Sequence, residues 1–347
     1  MTGAFVNRAV VLAERPRGLP DASTWRLEER SIPALRPGQV LIAVRECSLD
    51  PAMRGWLDDR PSYLPPVGIG EVMRAMAVGE VTDSQVESLP IGTWVLGALG
   101  VQEFAVATPS ALTRIDPQLG SPTEYLGVLG TTGLTAYFGL FEHGRPRAGD
   151  TVVVSAAAGG VGSVVGQLAR ISGARVVGIA GGPEKCAYLL DSLGFDAAID
   201  YRAGDVRRAL RKACPAGIDV YFDNVGGEIL DDALANLAMG ARVVICGAIS
   251  QYNVDPDDAD PSQRSVSGPA NYLSLLVRRG TMSGFLVFDY VDQYATARQR
   301  LSAWVKSGAI VARQTVVSGG VEDFPSTLLD LFSGRNWGKL TLKLESR

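Results

Sequence analysis

The residues with the clearest chemical meaning lie mid-chain, in Ala156-Ala157-Ala158-Gly159-Gly160-Val161-Gly162-Ser163, after the apolar run Thr151-Val152-Val153-Val154-Ser155. A dinucleotide site needs a tight strand-to-helix turn, a residue without a side chain where the pyrophosphate passes, and close helix–sheet packing, so that a helix N-terminus faces the phosphates. Against G-x-G-x-x-G the run supplies Ala157, Gly159 and Gly162, so the first glycine is missing. Such text also occurs at plain structural corners. Its place between a buried strand and a helix favours nucleotide binding. NAD sites put an Asp or Glu about 20 residues further on, at the end of the second strand. Here that strand ends in Gly181-Gly182-Pro183, and the first acid, Glu184, is followed at once by Lys185. A missing carboxylate removes repulsion from a 2′-phosphate and Lys185 attracts one, so NADP(H) is expected. Read alone, Lys185 also fits an ordinary first-turn helix lysine.

The elements that position this turn are legible around it. From residue 6 to about 107, short apolar segments separated by turn signals predict a mostly antiparallel β region, with strands at 39–44, 74–81, 93–99 and 102–107. Helices are predicted at 122–129 and 131–141. Strand and helix then alternate: strands at 151–155, 176–180, 197–200, 219–222 and 242–246, and helices at 184–192, 205–213 and 228–237. This is the βαβ text of a doubly wound parallel sheet. A charged loop at 255–264, a helix at 271–279, a strand at 282–288 and an amphipathic helix at 290–305 follow. The tail, 310–344, returns to strand-like text and rejoins the first region.

Composition narrows the chemistry. A chain of 347 residues holds about two domains, and 46% hydrophobic with 20% charged residues builds a core. A net charge of −4 gives no basic footprint for nucleic acid. The 40 glycines ask for many turns or a backbone-lined ligand site. The single histidine, His143, removes most histidine catalysis and His-metal chemistry. It sits in the polar turn Glu142-His143-Gly144-Arg145-Pro146-Arg147 and is expected at the surface. Cys47, Cys186, Cys214 and Cys246 form no C-x-x-C pair, so neither a disulfide framework nor a zinc cluster is indicated. The uncharged stretch 151–169 has the length of a membrane span, but its four glycines and polar residues fit a strand–turn–helix. No secretory apolar run opens the chain, so a cytoplasmic protein with no membrane partner is expected.

Several motifs in order make the chain resemble the medium-chain dehydrogenase/reductase superfamily along nearly its whole length. They are Asp50-Pro51-Ala52-Met53-Arg54-Gly55, Gly130-Thr131-Thr132-Gly133-Leu134-Thr135-Ala136-Tyr137, the glycine turn itself, Phe222-Asp223-Asn224-Val225-Gly226-Gly227, Cys246-Gly247-Ala248-Ile249-Ser250-Gln251-Tyr252-Asn253 and Asn336-Trp337-Gly338-Lys339. Within it the chain resembles the zinc-free branch of leukotriene 12-hydroxydehydrogenase/prostaglandin reductases, plant alkenal double-bond reductases and bacterial curcumin-reductase-like proteins. The resemblance implies an α/β chain: a GroES-like, mostly-β catalytic domain (1–125 and 310–347) and an inserted Rossmann domain (126–309). It also implies NADPH and a homodimer that extends the sheet near Phe285 to Phe288. Gly159, Gly160, Val161, Gly162 and Ser163 would meet the pyrophosphate, with Gly181 approaching the dinucleotide and Lys185 and Tyr201 the 2′-phosphate. Asn224, Cys246, Gly247, Ile249, Ser250 and Tyr252 would line the cofactor. Phe285, Leu286 and Val287 would approach the nicotinamide, and Asn336 would reach the cofactor from the tail. Tyr201 and Phe285 also fit simple packing roles.

Departures from the superfamily matter too. Cys47 falls near the first zinc-ligand position of the zinc alcohol dehydrogenases, but Ser48-Leu49-Asp50 follows it. Gly70-Glu71-Val72 stands where Gly-His-Glu is expected, so no metal site is expected. Ala52 replaces the tyrosine of D-P-Y-M-R, and Val277 stands where mammalian members carry a helix tyrosine. Without metal or histidine, reduction of a carbon–carbon double bond conjugated to a carbonyl is the expected reaction, with hydride to the β-carbon and the enolate oxygen steadied by hydrogen-bond donors. Tyr252 is the expected donor or acid, and closing over the cofactor is the other role open to it. Met53, Trp56, Tyr63, Phe285 and Tyr290 are candidates for the wall of a small-molecule α,β-unsaturated carbonyl pocket, or for ordinary packing. A zeta-crystallin-type quinone oxidoreductase and a non-catalytic NADPH-binding protein are the competing readings.

Overall fold

The computed structural model describes residues 6–255 and 266–345. The early strands follow the apolar alternation of the sequence. β1 (Val6–Leu12) pairs antiparallel with β2 (Trp25–Ser31). β3 (Val40–Leu49) is buried along most of its length and anchors a larger sheet. It pairs antiparallel with β4 (Ala77–Ser84) and β6 (Phe104–Ala107), and β5 (Trp94–Gly97) and β7 (Leu112–Arg114) continue outward from β4. Between β3 and β4 a 3-10 helix, Pro51–Leu57, carries the Met53-Arg54 pair into the core. Arg54 is buried because Gly18 O, Pro16 O and Asp58 take its guanidinium donors.

Segment 122–129, expected to be helical, is instead a succession of tight turns. The chain here folds backbone onto backbone: a Cβ on Gly130 would stand 2.1 Å from Tyr125 O, and one on Gly133 1.8 Å from Val128 O. The next helix, α1 (Thr131–Phe138), stops before the expected 141 and widens into a π-type turn, Gly139–Gly144, closed by Arg145 at φ +44.

β8 (Thr151–Val154) is four β-branched residues, all buried, as a strand covered on both faces requires. α2 (Gly160–Ile171), β9 (Arg175–Ala180), α3 (Pro183–Asp191), β10 (Ala197–Asp200), α4 (Val206–Ala213), β11 (Ile218–Asp223), α5 (Gly227–Leu234) and β12 (Leu237–Ile245) alternate after it. α6 (Leu273–Arg278) then leads to β13 (Thr281–Gly284). The strand order is β10-β9-β8-β11-β12-β13, all parallel. That is the doubly wound order, with its switch point between β8 and β11. β13 ends at Gly284, so 285–288 is not strand; a 3-10 segment, Val287–Gln293, runs into α7 (Tyr294–Lys306). Of the charged loop expected at 255–264, all but Asp255 lies outside the described residues.

The chain's end returns to the first sheet. β14 (Gln314–Gly319) and β15 (Lys339–Leu344) flank α8 (Phe324–Ser333), and β15 pairs antiparallel with β3. The seven-stranded sheet is thus built from both ends of the sequence, around the parallel sheet's residues.

Candidate active site

The β8–α2 connection is a tight turn at the end of a central strand of the parallel sheet. Ala156 takes φ +48, and Gly159 N–H donates to Ala156 O at 2.9 Å. A Cβ on Gly162 would meet Ala156 O at 2.4 Å, and one on Gly166 would meet Phe195 Cζ at 1.9 Å, so glycine at these positions lets α2 pack against its neighbours. Gly159, by contrast, has only Ala156 O near its missing Cβ, at 3.1 Å. No side chain closes the opening there, so the turn presents the bare backbone that a pyrophosphate requires. Val161 is partly buried against the core; Ser163 turns its hydroxyl to Gly160 O at 3.3 Å. The first amides of α2 face this opening, without a side-chain cap to occupy them. The residues present fit a dinucleotide.

Beyond β9 two side chains gather at Gly181, and Lys185 lies near one of them, Arg202. Tyr201 Cε1 and Arg202 Nε lie 2.8 and 3.0 Å from where a Cβ on Gly181 would stand. Arg202 stacks over Tyr201 at 5.6 Å. Lys185 Nζ donates to Gly334 O and Asn336 O, both at 2.8 Å, and lies 5.9 Å from the Trp337 ring. Burial, with the Arg202 charge adding to it, pulls the Lys185 ammonium below its usual value. Asp200, at the end of β10, turns its Oδ1 onto the amides of Gly182 and Arg202 at 2.8 and 2.9 Å. Arg202 had no signature in the sequence; only the fold puts it beside Gly181.

The third part is the loop after β12, pinned to the end of β11. Asp223, fully buried, accepts from Ser155 Oγ, Tyr221 OH and the amides of Val225 and Gly226 at 3.0–3.2 Å. Burial outweighs these donors and lifts its carboxyl above the usual range. Cys246 and Gly247 donate their amides to Asp223 O, Ile249 to Asn224 O and Ser250 to Val225 O. Asn224 Nδ2 donates to Ser155 O at 2.8 Å. Tyr252 folds back over this loop: its hydroxyl accepts Ala248 N–H at 3.2 Å and lies 2.8 Å from where a Cβ on Gly247 would stand. Burial, then the neighbouring Cys246, Tyr63 and Asp223, push the Tyr252 phenol above its usual value. It holds its proton across the neutral range.

Facing this loop, Trp56 Nε1 donates to Tyr63 OH at 3.1 Å, Arg74 lies 5.6 Å from the Trp56 ring, and Phe288 lies 6.4 Å from the Tyr63 ring. Burial pushes the Tyr63 phenol up as well. Other expected wall residues are elsewhere. Met53 is 0% exposed in the β core. The Phe285 ring packs beside Gly139 and stacks on His143 at 5.0 Å. Tyr290 stacks on Phe138 at 4.5 Å and bonds His143 Nε2 at 2.9 Å. His143 is therefore held in an aromatic cluster rather than loose at the surface, because the π-type turn aims it at Ser283 and Tyr290. Val287 is buried and Leu286 exposed. Asn336 Nδ2 donates to Gly338 O at 3.2 Å.

Among the described residues, no group of three or more His, Cys, Asp or Glu is placed to hold a metal ion. Burial lifts the Cys47 thiol to about 12, and it donates to Gly100 O at 3.6 Å. Burial holds Cys246 at about 12 and Cys214 at about 11. No helix among the described residues is long and apolar enough to cross a membrane.

A six-stranded parallel sheet of doubly wound order, a glycine cradle at its switch point and a β domain closed by both chain ends define an alcohol-dehydrogenase-like nucleotide-binding oxidoreductase architecture. The chain matches the family of the N-terminal domain of oxidoreductase over residues 8–115 and the zinc-binding dehydrogenase family over 160–303. It is 44% identical to the putative NADP-dependent oxidoreductase YfmJ of Bacillus subtilis, covering 97% of this chain and 98% of that one. It is 40% identical to the NADPH-dependent curcumin reductase of Escherichia coli, with 97% of each chain covered. The structure of CurA from Vibrio vulnificus in complex with NADPH superposes with a TM-score of 0.89 at 40% identity, over 98% of this chain and all of that one. The chain belongs to the zinc-free alkenal and curcumin reductase branch of the medium-chain dehydrogenase/reductases.

Proposed function

We propose that this protein is an NADPH-dependent reductase of carbon–carbon double bonds conjugated to a ketone or aldehyde. NADPH, when bound, supplies the hydride that adds to the β-carbon. Gly159, Gly160, Val161, Gly162 and Ser163 hold the pyrophosphate on the N-terminus of α2, and Lys185, Tyr201 and Arg202 hold the 2′-phosphate. Gly181, Asn224, Asn336 and the segment Cys246, Gly247, Ile249, Ser250 line the cofactor, with Leu286 and Val287 beyond them. The Tyr252 phenol carries the reading: it is protonated, sits on the cofactor loop and has Ala248 N–H bound to its oxygen, so its own hydrogen is free for an acceptor. That hydrogen steadies the enolate oxygen as charge develops, and a proton from Tyr252 or water completes the saturated carbonyl at the α-carbon. Trp56, Tyr63 and Phe288 form an apolar wall for the acceptor.

The division into residues 1–125 with 310–347 and residues 126–309 is part of this reading, supported by the pairing of β15 with β3. So is a homodimer. β13 is the outer strand of the parallel sheet, and beside it Leu276 and Val277 stand 76% and 67% exposed, with Met282, Leu286 and Phe288 also exposed. Light scattering on the purified protein tests the dimer, and a monomer would refute it. The four free thiols suit a reducing cytosol. The reaction is tested with a panel of enones, enals and simple quinones, following NADPH oxidation and product mass. Saturated carbonyl products are expected. Turnover of quinones alone would overturn the reading.

A further inference from the structure

Lys339, the first residue of β15, is a buried cation that nothing above employs. Its side chain is 5% exposed, and Nζ donates to Leu49 O and to Asp50 Oδ1, each at 2.6 Å. Asp50 Oδ2 in turn accepts from Ser48 Oγ at 2.5 Å. Asp50 stands at the N-cap of the 3-10 helix Pro51–Leu57, where an aspartate ordinarily turns onto the first amides. It makes no such cap, since both oxygens are committed to Ser48 and Lys339. That helix carries Trp56, the donor to Tyr63 in the cleft wall.

The backbone beside Lys339 reaches the other half of the site. Gly338 N–H donates to Ala158 O at 2.8 Å, and Gly338 bridges Gly159. Gly338 has φ +60, and a Cβ there would stand 2.0 Å from Arg313 O, so no other residue fits without moving the strand. The Lys339 Cα lies 3.5 Å from where a Cβ on Gly160 would be. Two consecutive residues therefore touch the phosphate-facing turn with backbone and the head of the pocket helix with a charge.

We propose that Lys339 is a positioning residue: its ion pair with Asp50 fixes helix Pro51–Leu57, and with it the Trp56–Tyr63 wall, against the glycine turn, so that filling the turn orders the wall. The proposal rests on the nucleotide reading of the turn and not on the identity of the acceptor. Removing one partner of a buried pair leaves the other charge without compensation, which frees the helix head.

The test is hydrogen exchange on the full-length protein with and without saturating NADPH, in wild type, Lys339→Met, Lys339→Arg, Asp50→Asn and the double variant Asp50→Asn/Lys339→Met. In wild type and Lys339→Arg, NADPH should slow exchange at 160–171 and at 51–57. In Lys339→Met and Asp50→Asn the slowing at 160–171 should remain and that at 51–57 should disappear. Enone KM should rise at least tenfold in Lys339→Met, with the double variant recovering part of the loss. A purely structural lysine would lower the melting temperature yet leave the NADPH-dependent slowing at 51–57 intact in the folded protein, and that result overturns the proposal. So does a wild type in which 51–57 does not respond to NADPH. Where the deuterium pattern holds but wild type reduces no enone, the positioning role stands and the acceptor assignment fails. If Lys339→Met does not fold, Asp50→Asn gives the same two readings.

Discussion

Replacing Lys185 by alanine separates the two nicotinamide cofactors. In the structure Nζ is held by two carbonyls at 2.8 Å, those of Gly334 and Asn336, and shares its surroundings with Arg202. A 2′-phosphate entering there exchanges neutral acceptors for a dianion. A hydrogen bond to a charged group contributes about 1.5–3 kcal/mol, and about 1.4 kcal/mol is tenfold in affinity. With Arg202 still in place, Lys185→Ala should raise the NADPH Kd by the lower part of that range, about tenfold. NADH has no 2′-phosphate, so it feels only the loosening of the tail at 334–336, which acts on both cofactors alike. The ratio of the two dissociation constants is therefore the diagnostic quantity, read by fluorescence titration of each cofactor. Raising ionic strength from about 10 mM to about 150 mM shortens the screening length from about 30 to about 8 Å, so the wild-type preference for NADPH should shrink with salt more than that of the variant. An equal loss for NADPH and NADH in Lys185→Ala would refute the 2′-phosphate assignment.

Other outcomes follow from the same geometry. Tyr252→Phe keeps the ring over Gly247 and removes the phenol hydrogen that steadies the enolate, so kcat on an enone should fall by roughly 10²-fold or more with NADPH Kd within about twofold; unchanged turnover in stopped-flow assays removes Tyr252 from the chemistry. Because burial raises the Tyr252 phenol, and the acid must be protonated to act, the alkaline limb of the kcat–pH profile should lie above the ordinary tyrosine value of 10; a limb near pH 8 would point to another group. Gly166→Ala sets a methyl against the Phe195 ring, where a Cβ would stand 1.9 Å from Cζ, and overpacking of this kind costs about 1–3 kcal/mol. Its melting temperature should drop by a few degrees, and no change would show that α2 can move away from Phe195.

Where the pattern was local, the sequence already carried it. β8 is four β-branched residues, and the glycines that begin at Gly159 mark the turn after it. The expected strand at 74–81 appears as Ala77–Ser84, shifted along the chain, because strand ends are set by pairing with β3 and β5 rather than by propensity. The helix expected at 122–129 failed because Gly130 and Gly133 bring the chain back onto the backbone of Tyr125 and Val128, contacts that no side-chain period reports. The strand expected to 288 stops at Gly284, since β12 offers no register partner past Ile245. The site was split in the same way. The glycine turn and Lys185 lie within one βαβ unit and could be read from spacing. Arg202 at Gly181, Asp223 beneath the Tyr252 loop and Lys339 against Asp50 depend on contacts that the fold alone creates. His143 looked exposed because its neighbours in sequence are polar, while its partners Ser283 and Tyr290 come from about 140 residues away.

The most direct test of the central claim is the position of the transferred hydrogen. Turnover of a linear enone with NADPH carrying deuterium at the transferable position, followed by mass and NMR analysis of the product, should give a saturated ketone with one deuterium on the β-carbon. Deuterium on the carbonyl carbon of an allylic alcohol would contradict it.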